Sequence, residues 1–235
     1  MSLARIASFV HKWLALIVGV QILLWIASGL FFTIVPIEQV RSEQRVRAFA
    51  SAPLRGGDLA AVSAVLATSP APVKLTLEAR AEGDVVLAEY AAGSPRLFDA
   101  HTAALLSPLS ENAARHIASL HITAEAPIAR ATWVRTPSPE YRGALPAWRL
   151  EFADKDHLAV YVAANTGQVT ARRSDLWRTY DALWALHIMD WRDHENFNHG
   201  LIIAASVLAL VSTIGGIVLI PYRFRWRRRR SAADA

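Results

Sequence analysis

Two long uncharged runs stand near the ends of the chain. Residues 13–37 contain 25 consecutive positions without a charge, and residues 200–222 contain 23. A helix rising ~1.5 Å per residue needs ~20 residues to cross a hydrocarbon core. Within that core only a helix satisfies its own backbone in a single segment. The pattern predicts two transmembrane helices, over residues 13–37 and 199–222, flanked by short ends at 1–12 and 223–235. A cleaved signal peptide competes for the first run, because Arg5 and Lys12 precede it. The run is longer than a signal h-region, however. Its small pair, Ala27 and Gly29, leads into Leu30, Phe31 and Phe32 instead of a polar mature start. An uncleaved anchor is expected.

Between the runs the periodicity changes. Residues 38–57 are charged and then rich in Pro and Gly, which predicts a short exposed helix and a linker. Asp58 is placed to cap a helix over "LAAVSAVLAT", whose Leu59, Val62, Val65 and Leu66 fall on one face and should pack on a sheet. "VKLTLEAR", "VVLAEYA" and "SPRLFDA" alternate with period two and predict an antiparallel meander. Ser110 then caps "ENAARHIASLHI". Four further strand-like segments follow: "TWVRT", "AWRLEFA", "DHLAVYVAA" and "GQVTARR". Ser174 caps a third helix, from Asp175 to about Asp190. "RLFDAHTAALLS" lies over "AVYVAANTGQVT", a weak internal repeat. The expected fold is an α+β domain of two helix-plus-antiparallel-sheet lobes, 58–108 and 109–173. An interfacial helix and re-entry segment at 174–198 joins it to the second of two transmembrane α-helices.

The net charge of +5 and the pI of about 10.0 raise nucleic-acid binding as a possibility. The distribution argues against it. Arg5 and Lys12 precede the first run, and six arginines follow the second. The segment between holds 17 basic and 19 acidic residues, a net of −2. Basic ends on apolar spans follow the positive-inside rule. They place both termini in the cytoplasm and the central domain in the periplasm of a bacterial inner membrane. The arginine tail would meet anionic lipid head groups, and no nucleic-acid partner is expected. With no cysteine in the chain, neither a disulfide nor a thiolate metal site can form.

Three segments resemble the PepSY family, in its membrane-anchored PepSY-associated transmembrane branch. "HKWLALIVGVQILLWIASGLFF" carries the first-span pattern (His11, Gln21, Trp25, Ser28, Gly29). "VYVAANTGQVTARR" carries the Thr166–Gly167 turn, and "ALWALHIMDW" precedes the second span. The resemblance covers most of the chain. One departure is Ala103, where a glycine is expected after Thr102. A turn needing φ > 0 tolerates alanine poorly, so either a different turn or a degenerate lobe is expected there. The resemblance implies one of two roles. Larger relatives are inner-membrane haem proteins that reduce ferric siderophores, with histidines of the spans as axial ligands. Soluble PepSY domains inhibit or bind peptidases.

The histidines are the candidate chemistry. If the third helix runs past Asp190, Trp184, His187, Trp191 and His194 form one stripe, with His199 at the edge of the second span. His187 and His199 could then face each other across the bend at "DWRDHENF", as bis-imidazole ligation of haem b requires. Trp and His are equally at home as anchors at a membrane interface. His11 sits at the other end of the first span, about one bilayer from His199. The two cannot share one haem within a subunit, and His11 would need a ligand from another chain. Gln21, Trp25 and Ser28 share a face of the first span. His194 is expected to be solvated. His116 and His121, five apart, do not make a helical metal pair, and His101 and His157 sit at turns. Ala205/Ala209 and Ser212/Gly216 would let helices approach closely, within the chain or in a homodimer or larger complex.

Two function classes stay open. One is a haem b electron-transfer or ferric-reductase accessory component, with His187, His199 and His11 as ligands and Trp184, Trp191, Trp25 and Gln21 lining the pocket. The other is a non-enzymatic, membrane-anchored periplasmic binding or regulatory module.

Overall fold

The period-two segments form two antiparallel sheets. The structure is a computed structural model and describes residues 3–49, 53–54, 59–124 and 126–223. The first sheet is β1 (Lys74–Arg80), β2 (Gly83–Glu89) and β3 (Arg96–Asp99), in that order. The second is β4 (Ile128–Val134), β5 (Ala147–Phe152), β6 (Ala159–Ala163) and β7 (Val169–Arg173), also in sequence order. The chain separates into two compact units, Val35–Asp181 and the paired segments Met1–Ile34 with Ala182–Ala235.

Within Val35–Asp181 the strand alternation sorts side chains between two cores. Val86 faces Phe98 across β2 and β3, and Leu87 faces Leu97. Val86, Ala88 and Phe98 pack under α3 (Leu59–Leu66) through Val62 and Val65. The expected α3 stripe is narrower than its periodicity suggests. Val65 is buried, but Leu66 closes the helix and is 53% exposed, while Ala61 turns inward. Asp58, the expected cap, lies outside the described residues.

The opposite face of the first sheet, Val85, Leu87 and Leu97, shares a core with the second. Ala114, Ile117 and Ala118 of α4 (Glu111–His121) pack there with Leu150, Phe152, Val160 and Val162. Ser110 caps α4, accepting from the Ala113 N–H. The two lobes read from the repeat therefore share α4 and one buried core. A further tie crosses between them: Arg80 Nη1 donates to Thr166 O at 2.6 Å. On the far side of the second sheet Tyr141 and Tyr161 stack at 4.2 Å over Ala147, Ala159 and Ala171.

The repeat extends to its turns. Ala103 N–H donates to Asp99 O and Gly167 N–H to Ala163 O, with φ of 56° and 72°. The first turn thus has the same left-handed form as the second despite lacking glycine, correcting the expectation of a different turn. The Asp99 carboxylate accepts from the N–H groups of His101 and Thr102 and from the Thr102 hydroxyl. Those bonds hold the turn against the cost of a left-handed alanine.

The ends of the first span also differ from expectation. α1 runs Leu3–Ile34, so residues 3–12 are helical too, and the helix stops before Pro36. α2 (Ile37–Val40) is only four residues, followed by one 3₁₀ turn at Glu43–Arg45. This segment is not simply exposed. Val40 and Ser42 are buried, and Arg45 pairs with both Asp154 and Asp156.

In the other unit α1 lies antiparallel to α6 (Gly200–Arg223). Over Gly200–Ile220, 21 residues with mean hydropathy 2.5, α6 is long and apolar enough to cross a membrane. α1 carries a shorter apolar stretch, Val18–Ile34. Leu16, Val20 and Leu23 of α1 and Ile203, Leu210 and Ile217 of α6 point outward. Val18, Ser28 and Ser212 are buried. An apolar exterior of this extent calls for lipid or protein around it.

Candidate functional site

The third helix, α5, spans Asp175–Ile188 and stops short of the expected Asp190. Ser174 caps its start through the Trp177 N–H. Met189 takes a left-handed φ of 58° and ends it. The proposed stripe is therefore interrupted: Trp184 and His187 share a helical face, while Trp191 and His194 lie in the loop beyond. Trp191 is 58% exposed. The loop is organised around Asp190, whose carboxylate accepts from the N–H groups of Asn196, Asp193, Glu195 and Arg192. These donors hold its pKa far below the ordinary aspartate value.

The last turn of a helix leaves four carbonyls without partners inside it. Here all four are met. Asp190 N–H donates to Ala185 O and Met189 N–H to Leu186 O. Gln21 Nε2 reaches Leu186 O at 3.4 Å, Trp25 Nε1 reaches His187 O at 2.7 Å, and His199 Nε2 reaches Ile188 O at 3.0 Å. Three residues nominated from the sequence thus cap α5, two of them from α1. Trp184 Nε1 bonds His194 O at 3.1 Å and fastens the loop back to the helix.

The His187 ring is held separately. The Ser28 hydroxyl donates to Leu24 O at 2.6 Å, so its lone pair is left to accept from His187 Nδ1, 2.7 Å away. The proton therefore belongs on Nδ1, and Nε2 keeps its lone pair with no hydrogen bond among the described residues. Trp184 stacks on the ring with an interplanar angle of 7°, and Phe32 meets it edge-on at 5.6 Å. Burial lowers the His187 pKa and favours the neutral ring.

His11 repeats the arrangement at the far end of the helix pair. Its Nδ1 lies 2.8 Å from Ser212 O, which can only accept, so in the neutral ring the lone pair is again on Nε2. A Cβ at Gly216 would lie 3.0 Å from His11 Cε1, so the glycine makes room for the ring. An open cleft of about 510 Å³ runs beside it, lined by Ser8, Lys12, Ala15, Leu219 and Ile220.

The haem that the family resemblance implies can be set against these rings. Axial histidines ligate through Nε2, while Nδ1–H donates to a fixed acceptor. His187 and His11 fit that requirement. His199 presents the opposite nitrogen, since its Nε2 is committed to Ile188 O. Among the described residues no group of three or more His, Asp or Glu side chains is arranged to hold a metal ion. Ser28 and Phe32 were not nominated as pocket residues. The spacing Gln21–Trp25–Ser28–Phe32 is a helical stripe aimed at α5, which is the signal that would have found them.

Comparison with known proteins finds no matching family, no matching curated protein and no matching solved structure.

Proposed function

We propose that this is a two-pass inner-membrane PepSY protein that binds haem b as an electron-transfer component, of the type that serves ferric-siderophore reduction. Its central domain would be periplasmic and both termini cytoplasmic. His187 and His11 are the proposed axial ligands. The observation that carries the proposal is their shared geometry: each has Nδ1 tied to a fixed acceptor and an Nε2 with no hydrogen bond among the described residues. Bound haem would supply one-electron chemistry at its iron. The chain's own side chains would do the rest. Ser28 and the Ser212 carbonyl orient the rings, Trp25, Phe32 and Trp184 keep water from His187, and Lys12 sets a cation beside the His11 cleft for an acidic substituent. His11 and Ser28 are 17 residues apart on one helix, roughly 25 Å at 1.5 Å per residue. One haem therefore cannot take both rings, and each needs a second ligand from another chain, in a homodimer or larger complex.

A second proposal, a non-enzymatic membrane-anchored regulatory module, draws support from the α5 cap. Gln21, Trp25 and His199 are all used on helix carbonyls, which ties α1 mechanically to the end of α5.

Absorbance of the protein purified in detergent, with and without dithionite, separates the two. A Soret band with a sharp reduced α-band is expected. H187A and H11A should each remove about half of the bound haem, and W191A none. Folded protein that stays colourless after haem is supplied would leave the regulatory role.

A further inference from the structure

A second recessed site lies in the central domain, remote in sequence from every histidine assigned above. The chain enters it at Arg47, whose N–H donates to His121 O at 2.8 Å, while Val46 bridges to Ile122. This short antiparallel contact lays the segment after the 3₁₀ turn along the end of α4. The cleft it borders has a volume of about 390 Å³, within the ~300–1,000 Å³ range of small-molecule sites.

One wall is cationic. Arg47 has no ion pair or side-chain hydrogen bond among the described residues. Arg115 is positioned by two bonds, Nε to Glu111 Oε1 at 2.8 Å and Nη1 to Ile128 O at 3.0 Å. Glu111 thus ion-pairs the guanidinium on one edge, and Nη2 has no hydrogen bond among the described residues. His116 adds a third nitrogen base beside it. The other wall is apolar and includes Ile122 and Phe152, both of the domain core. Two guanidinium groups match a planar carboxylate better than a point cation would. The apolar wall asks for a hydrocarbon body attached to it.

We infer that this cleft binds a small amphiphilic carboxylate, with Arg47 and Arg115 on the carboxylate and the Ile122–Phe152 wall against the apolar body. The site is independent of haem binding and stands if that proposal fails. The test is isothermal titration of the full-length protein in lipid nanodiscs, with empty nanodiscs as the blank. Benzoate, inorganic phosphate and benzylamine are the probes. Benzoate should bind saturably at one site per chain, more tightly than phosphate, and benzylamine should not bind. Arg47 is exposed and its side chain bonds no other described residue, so R47Q should fold normally and weaken benzoate binding about tenfold. R135Q removes an exposed arginine beyond the far end of β4, outside the cleft lining, and should change nothing. Unsaturable benzoate uptake would overturn the site. So would equal losses in R47Q and R135Q, or unchanged affinity in R47Q. Phosphate binding as tightly as benzoate would overturn the ligand class.

Discussion

Ser28 and His187 stand 159 residues apart in sequence, yet the serine hydroxyl lies 2.7 Å from the imidazole Nδ1. Because that hydroxyl spends its own proton on Leu24 O, it sets the tautomer of the histidine. S28A removes the acceptor. The expected outcome is a mixed tautomer population, read from histidine ¹⁵N shifts, where the wild type shows a single Nδ1–H form. The lost bond should cost about 1 kcal/mol of stability. A single unchanged tautomer in S28A would separate the ring from the serine.

Gly215 and Gly216 are neighbours with different surroundings. A Cβ at Gly215 would make ordinary contacts with His11 at 3.7 Å and beyond, whereas one at Gly216 would press on the ring at 3.0 Å. G216A should therefore destabilise the helix pair by about 1–2 kcal/mol, and G215A should be neutral or slightly stabilising. Thermal unfolding of the two variants in the same detergent checks the difference.

The paired turns predict opposite signs for exchanging their residues. Ala103 carries a left-handed φ of 56°, so A103G should relieve strain and stabilise the domain by about 0.5–1 kcal/mol. At Gly167 a Cβ would meet Arg80 Nη1 at 3.0 Å and Leu97 Cδ2 at 3.2 Å in addition to the backbone cost. G167A should destabilise by about 2 kcal/mol or more. Melting temperatures of the two variants should move in opposite directions.

His157 and Asp175 form an exposed pair, with Nδ1 to Oδ2 at 2.6 Å. The bond to Asp175 raises the His157 pKa, and the bond to His157 lowers that of Asp175. The histidine's contribution is whole below its ordinary pKa of about 6.5 and is lost as pH rises through its raised value. The aspartate's is whole above about 3.9 and is lost as pH falls through its lowered value. The pair therefore supports the start of α5 most between about pH 4 and 6.5. The melting temperature of H157Q should fall furthest below wild type in that window and match it near pH 9.

Strand alternation made the two meanders legible, and the serine caps marked the starts of α4 and α5. What the sequence did not disclose depends on partners far along the chain. Nothing near Asp154 and Asp156 announces Arg45, which reaches them from more than 100 residues away. The left-handed form at Ala103 was hidden because Asp99, four residues before the expected glycine, does the stabilising. The α5 end was overestimated because Trp191 and His194 keep helical spacing with Trp184 and His187 although Met189 breaks the backbone. Gln21 and Trp25 were read as facing a ligand. They face helix carbonyls, a demand that appears only once α5 is known to end there.

The α5 cap has a consequence for biosynthesis. Leu186 O and His187 O are made 165 and 162 residues after the Gln21 and Trp25 groups that bond them. At roughly 5–20 residues per second, the ribosome takes on the order of 10–30 seconds to cover that distance. Throughout that interval the newborn first helix carries a carboxamide and an indole N–H whose eventual acceptors do not yet exist. Until then those donors must find other partners, and the helix pair can close only after everything between has been synthesised.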